Sequence, residues 1–356
     1  MNLTNEVSVQ NADDDRRAYF VLTIGEHLDL ARAEQESLVS LVSSGTKIEW
    51  KGQIGFFDSL IYPISFLSDR SVMAKESGEV FYSCSGPLRN LFESLEGDIL
   101  RTIVDKRETF CVRTLSLAGV DTRTRLQTES HVGNLIVQAT KAKVNLENPD
   151  VKVLVVFLSD STIVCKSTVS RLRSQFRYKV RETLPFFHPS MMNTRLARVL
   201  CNLAGVMPQD TVFDPFCGAG GILSEALAIG ANGIGMDLNW RLLRGAKTNL
   251  SERRSSQFSL IQGDARQLPL TGYDHIVTDP PYGRASSTRG SAANALVRDF
   301  LETSTRLGRK RGTLCICGST EMGIPELIEN LGLVPLRRLR LRVHKGLTRE
   351  IVTLDI

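Results

Sequence analysis

From about residue 188 to the C-terminus, short apolar runs alternate with longer amphipathic stretches, and several of the apolar runs end on an aspartate. Few folds accommodate that pattern. Connections too long for a hairpin bring successive strands back in parallel, and their apolar stripes cover the sheet from both sides. The expected succession is helix 193–205, strand 211–214, helix 220–229, strand 233–237, helix 240–252 and strand 258–262. Strand 274–278, helix 293–308, strand 312–317, helix 322–330 and strands 334–343 and 349–355 follow. This is an α/β doubly wound sheet, in which a ligand lies beyond the carboxyl ends of the strands.

The strand ends carry the chemistry. The first runs out in Val212-Phe-Asp-Pro-Phe-Cys-Gly-Ala-Gly-Gly-Ile222. Glycines let a backbone approach a ligand closely, and the helix start that follows offers unpaired N–H groups. With Asp214 at its head, the loop suits a cationic ligand rather than a pyrophosphate. Gly233-Ile-Gly-Met-Asp237 ends the next strand, and a carboxylate there is placed to accept from both hydroxyls of a ribose. Asp264, in Gly263-Asp-Ala-Arg-Gln-Leu-Pro-Leu270, follows a third strand and can accept from an adenine amino group. One such aspartate reads as a turn or helix cap. Three at successive strand ends read as one nucleoside site.

The fourth strand ends in Ile276-Val-Thr-Asp279-Pro280-Pro281-Tyr282-Gly283. Two prolines stiffen the backbone and leave the Asp279 carboxylate and the Pro280 carbonyl facing the crevice. An aromatic amine is a weak nucleophile because its lone pair is delocalised into the ring. Two acceptors aimed at its N–H bonds favour the pyramidal form and the positive charge that develops on attack. Tyr282 can stack on a base and orient it, and Asp279 or water beside it takes the departing proton. The polar stretch after Tyr282, from Arg284 to Ser291, suits a lid over that base.

The remaining half is organised differently, and 356 residues exceed one ordinary core. Residues 1–15 are polar, end in Asp13-Asp14-Asp15, and read as a disordered tail without signal or transit character. A small α+β unit at 16–69 holds a strand at 17–24, an amphipathic helix at 28–43 and two strands within 47–65. A second, at 70–167, holds helices at 87–106 and 129–141 and strands at 109–116, 151–158 and 162–166. A linker at 168–187 leads to the α/β domain at 188–356.

Charge is divided unevenly. Residues 1–165 carry 17 basic and 23 acidic side chains, and residues 166–356 carry 27 and 16. Lys166, Arg171, Arg173, Arg177, Lys179 and Arg181 lie in a stretch with no acid, with Phe176 and Tyr178 between them. That composition fits a phosphate backbone. Arg306 with Arg309, Lys310 and Arg311, and Arg338, Arg340 and Arg342 alternating with Leu339, Leu341 and Val343, offer further basic faces. Seven cysteines, an odd number without a CxxC pair, imply reduced thiols in a cytoplasmic protein and no metal site. No apolar run is long enough to span a bilayer.

With these motifs in hand, the C-terminal half resembles the class I, Rossmann-like amino-methyltransferases that carry a (D/N)PP(Y/F) signature on a seven-stranded, mostly parallel sheet. Phe186-Phe187-His188-Pro189-Ser190-Met191 is similar to the segment that precedes the cofactor loop in members with a THUMP domain. Glu129-Ser-His-Val-Gly-Asn134 and Val144-Asn-Leu-Glu-Asn-Pro-Asp150 resemble parts of the THUMP domain itself. The whole chain is thus similar to the archaeal tRNA (guanine-10 N2) methyltransferases, relatives of the catalytic subunit of the eukaryotic enzyme. The resemblance implies a ferredoxin-like domain, a THUMP domain that grips tRNA, and a catalytic domain.

It also implies S-adenosylmethionine as methyl donor, held by Asp214, Phe216, Cys217, Gly218, Ala219, Gly220, Asp237, Leu238, Asp264, Ala265, His188 and Ser190. Catalysis falls to Asp279, Pro280, Pro281 and Tyr282. Residues 71–165 carry 11 basic and 12 acidic side chains, so most phosphate contacts are expected from the linker and the catalytic domain. Two other readings stay open: a DNA adenine-N6 or cytosine-N4 methyltransferase, and a non-catalytic RNA-binding subunit.

Overall fold

The computed structural model describes residues 16–86, 88–168, 184–252, 257–268, 272–281, 290–307, 312–344 and 346–356. These form two compact units. One comprises Met1–Leu28, Val39–Asp69 and Met73–Leu172, and the other Asp29–Leu38, Arg70–Val72 and Arg173–Ile356. The expected tail at 1–15 lies outside the described residues.

Along the N-terminal half the elements run β1 (Arg17–Thr23), α1 (Leu28–Val42), β2 (Glu49–Lys51), β3 (Ile54–Ser59), α2 (Ile64–Arg70) and β4 (Ala74–Ser85). Then come α3 (Leu88–Ser94), α4 (Gly97–Ile103), β5 (Thr109–Ser116), α5 (Thr122–Thr140), β6 (Lys143–Val144), β7 (Val151–Phe157) and β8 (Ser161–Thr168). One eight-stranded sheet, in the order β2-β3-β1-β4-β8-β7-β5-β6, runs through both stretches expected to be separate α+β units. The join is β4, which pairs antiparallel with β1 on one side and β8 on the other.

β7 is apolar on both faces apart from Lys152. Val153 and Val155 pack with Leu91, Phe110, Val132 and Ile136 on one face, while Leu154 and Val156 pack with Phe20, Phe56 and Ile163 on the other. The helix expected over 87–106 is two helices, because Glu96 is extended (φ −70°, ψ 151°) and Gly97 starts a new one. The helix expected at 129–141 begins earlier, at Thr122, where the Asp121 carboxylate accepts from the Thr124 N–H.

Residues 29–38 of α1 belong to the second unit, and there its polar side is not a solvent face. Glu34 and Gln35 are fully buried. Asn202 donates to Glu34 Oε1 at 2.8 Å, Gln35 donates to Ser71 Oγ at 2.7 Å, and Arg70 donates to Asn202 Oδ1 at 3.0 Å and the Val206 carbonyl at 2.7 Å. Burial lowers the Arg70 guanidinium to about 10.

The second unit continues through α6 (Thr194–Leu203), β9 (Thr211–Asp214), α7 (Gly221–Ile229), β10 (Asn232–Asp237), α8 (Trp240–Ser251), β11 (Phe258–Gln262) and β12 (His275–Thr278). It closes with α9 (Gly290–Leu307), β13 (Thr313–Ser319), α10 (Ile324–Asn330), β14 (Arg337–His344) and β15 (Leu347–Asp355). Its seven-stranded sheet has the order β11-β10-β9-β12-β13-β15-β14. β9 through β13 are parallel, and β15 inserts antiparallel between β13 and β14. Chain direction across the sheet reverses between β9 and β12, which puts a crevice at their carboxyl ends. Phe213, Met236, Ile276, Leu314, Val352 and Phe300 form the core beneath it.

Candidate active site

The floor of the crevice is Asp214, 1% exposed. Its Oδ1 accepts from Thr278 Oγ1 at 2.7 Å and from the Phe216 N–H at 3.2 Å. Burial pushes this carboxyl up to about 7, with the charges of Asp279 and Asp237 adding and the two hydrogen bonds opposing. Thr278 therefore joins the end of β12 to the end of β9.

The loop after Asp214 is tied down on both sides. The Cys217 N–H donates to the Met236 carbonyl at 2.9 Å, and the Gly218 N–H to Asp237 Oδ2 at 2.9 Å. Gly220 adopts a left-handed conformation (φ 82°) that starts α7, with Ala246 of α8 close by. Asp237 accepts a second backbone bond from Asn239 N at 2.8 Å, which leaves lone pairs on both carboxylate oxygens. Leu238 beside it is 64% exposed, while Cys217, Ala219 and Ala265 are buried.

His188 Nδ1 and Ser190 Oγ share a hydrogen bond of 2.6 Å, with His188 half-buried and Ser190 exposed. Met192, just beyond them, lies against Gly221 at the start of α7. Sequence reasoning missed what fixes this segment. Asn249, fully buried, accepts from the Phe186 N–H at 2.9 Å and donates to the Phe186 and Ala219 carbonyls at 2.9 and 3.0 Å. Any side chain at Gly245 would collide with the Phe186 ring. One asparagine thus sets the entry segment against the glycine loop.

Asp264, the third strand-end acid, is taken by its neighbour: Arg266 Nε donates to both of its carboxylate oxygens at 3.0 Å. That bond holds the Asp264 carboxyl below its ordinary value.

Asp279 follows β12 directly, with Pro280 buried and Pro281 exposed. Its Oδ2 lies 3.7 Å from Nη2 of Arg349 on β15, both side chains being mostly buried. Nothing local in the sequence couples these two residues. Tyr282 and the lid stretch 284–289 lie outside the described residues.

So do Arg171, Arg173, Arg177, Lys179 and Arg181, and Arg309, Lys310 and Arg311. Lys166 is on β8, 3.7 Å from Glu108. The basic strand face of β14 is largely neutralised: Arg338 meets Glu350 at 2.9 Å and Glu326 at 3.1 Å, and Arg340 meets Glu350 at 3.2 Å. Val343, expected on the buried side, is 47% exposed. Among the described residues no group of His, Cys, Asp or Glu is arranged to hold a metal. None of their helices is long and apolar enough to cross a membrane.

A seven-stranded sheet of this order, with acids at the ends of β9 and β10 and Asp-Pro-Pro after β12, defines a Rossmann-like methyltransferase domain. Residues 181–350 match an RMKL-like methyltransferase domain, and residues 98–165 match a THUMP domain. A tRNA (guanine(10)-N2)-dimethyltransferase from Methanothermobacter thermautotrophicus is 32% identical over 345 residues, covering 94% of this chain and 98% of the relative. One from Methanocaldococcus jannaschii is 32% identical over 277 residues, covering 74% and 75%. The crystal structure of TrmN from Thermus thermophilus shares the fold, with a TM-score of 0.55 at 20% identity over 95% of this chain and 99% of that one. The chain belongs to the archaeal tRNA (guanine(10)-N2)-dimethyltransferase family.

Proposed function

We propose that this protein is a cytoplasmic S-adenosylmethionine-dependent enzyme that methylates N2 of guanosine 10 in tRNA, and does so twice. One observation carries the reading: the Asp279 carboxylate stands at the end of β12, directly beside the strand that ends in Asp214. The residues fit the donor. Asp237 has lone pairs left that would accept from ribose hydroxyls, Leu238 has an uncovered apolar side chain that would pack on an adenine, and Asp214 would balance the charge of a cationic amino-acid tail. When bound, S-adenosylmethionine supplies an electrophilic methyl group.

The chain's own residues do the rest. Asp279 and the Pro280 carbonyl accept from the two N–H bonds of the guanine amine, drawing its lone pair out of conjugation. Asp279 stabilises the positive charge that grows on nitrogen, and the proton leaves to it or to adjacent water. After one transfer a single N–H remains, and Asp279 alone is enough to orient it. The THUMP domain and the basic linker hold the tRNA, with Lys166, Arg171, Arg173, Arg177, Lys179 and Arg181 on its phosphates.

Incubation of the protein with labelled donor and tRNA, followed by mass spectrometry of the nucleosides, tests this. N2,N2-dimethylguanosine at position 10 is expected. Label confined to duplex DNA, or none in any nucleic acid, overturns the reading.

The buried Asp214 adds a pH dependence. Its carboxyl is raised to about 7 by burial, so without ligand it is mostly protonated in mild acid. The sign follows: the neutral form is the stable one when folded, so stability from this group falls as pH rises from about 4 towards 7. A cationic ligand prefers the ionised form. Donor affinity should therefore rise by up to about tenfold per pH unit below 7, level off above it, and be accompanied by proton release. Titration calorimetry in buffers of different ionisation enthalpy measures both. Asp214→Asn should flatten the profile, and an unchanged slope in that variant removes Asp214 from donor binding.

A further inference from the structure

Because β15 is antiparallel to the strands beside it, its first residues lie at the carboxyl edge of the sheet, where the parallel strands open into the crevice. Arg349 is there, opposite Ser319 of β13 and Leu341 of β14. Its side chain reaches past the end of β13 to Asp279. Ser319 is small, and its hydroxyl turns back to accept from the Glu321 N–H. The rest of β15 from Glu350 to Leu354 is buried and mostly apolar, so a cation only 15% exposed at its start is costly unless paired.

The neighbourhood explains the pairing. Asp214, Asp237 and Asp279 stand at adjacent strand ends, close enough that the charges of the last two act on the first. Asp279 shares this crevice with the other acids, and without a partner its carboxylate would turn towards water. Arg349 offers it a fixed positive partner from the far side of β13.

We propose that Arg349 is a positioning residue for methyl transfer, which holds the Asp279 carboxylate turned towards the target amine. It acts through Asp279 and does not touch the reacting atoms. The proposal rests on Asp279 as the acceptor, and a small misplacement of such a group costs up to about a hundredfold in rate.

A kinetic cycle on the full chain with transcribed tRNA tests it, using wild type, Arg349→Met, Arg349→Lys, Asp279→Asn and the double variant Arg349→Met/Asp279→Asn. Arg349→Met should lower kcat about ten- to a hundredfold, with KM for tRNA within about twofold. Arg349→Lys, which keeps the charge, should recover part of the loss. In the Asp279→Asn background, where no ion pair exists, Arg349→Met should cost less than about twofold. The same fold loss in both backgrounds, a loss confined to KM, or full activity of Arg349→Met each overturns the proposal. So does a fall in Tm that Arg349→Lys fails to reverse along with the activity. The underlying reading fails separately, through Asp279→Ala retaining activity while wild type methylates tRNA.

Discussion

Asp279→Ala should reduce methyl transfer to tRNA by 10²- to 10⁴-fold while leaving donor and tRNA affinity within about twofold. The selectivity of the loss follows from position. Asp279 stands one residue beyond β12, so removing its carboxylate leaves the sheet register, the Thr278–Asp214 bond and the glycine loop as they are. The base still enters, but its amine loses an acceptor that favours the pyramidal geometry and the developing charge. Asp279→Asn keeps one oxygen acceptor and should lie between alanine and wild type. Radiolabel transfer under saturating donor and tRNA reads kcat, and filter binding reads affinity. A variant with alanine at 279 that keeps a tenth of wild-type turnover takes the acceptor role away from this residue.

Asp279 was legible because its context is local. A parallel strand must end at the sheet's carboxyl edge, and there the chain needs turn residues, so Asp214 and Asp279 announce themselves before a proline and Asp237 two residues after a glycine. The strands of the second unit fall close to their expected positions for the same reason. Groups whose meaning depends on sheet order were not legible. Arg349 acquires a partner only because β15 inserts next to β13, two strands from β12. Asn249 looks like a polar residue on an exposed helix, yet it is fully buried and bridges Phe186 to Ala219. Glu34 and Gln35 likewise fit the solvent side of α1 until Asn202, Arg70 and Ser71 close over them. One strand of the first unit was hidden for another reason. β4 was not apparent in the sequence, because its mixed burial breaks a clean alternation, and without it the first sheet seems to be two. The alternating arginines of β14 suggested an RNA-facing edge, but the buried Glu350 gives Arg338 and Arg340 an internal partner.

The second large effect concerns Arg198 on α6 and Glu225 on α7, which meet at 2.8 Å with side chains only 6% and 4% exposed. Glu225 sits one turn after the glycine loop, so the pair clamps the helix whose start forms one wall of the crevice. Truncating either partner strands the other charge away from water. Such changes cost about 3–5 kcal/mol, and in a domain of this size that lowers Tm by roughly 10 °C. Arg198→Met and Glu225→Leu should each show this drop in calorimetry. The double variant should regain most of it, since two apolar side chains bury without stranded charge. That recovery separates a buried pair from two unrelated packing defects, whose costs would add. Donor binding then decides what the pair is for. If the double variant is as stable as wild type but binds donor more weakly, the ion pair fixes the pitch of α7, and with it the glycine loop. If it binds equally well, apolar packing of α6 on α7 is enough to set the loop.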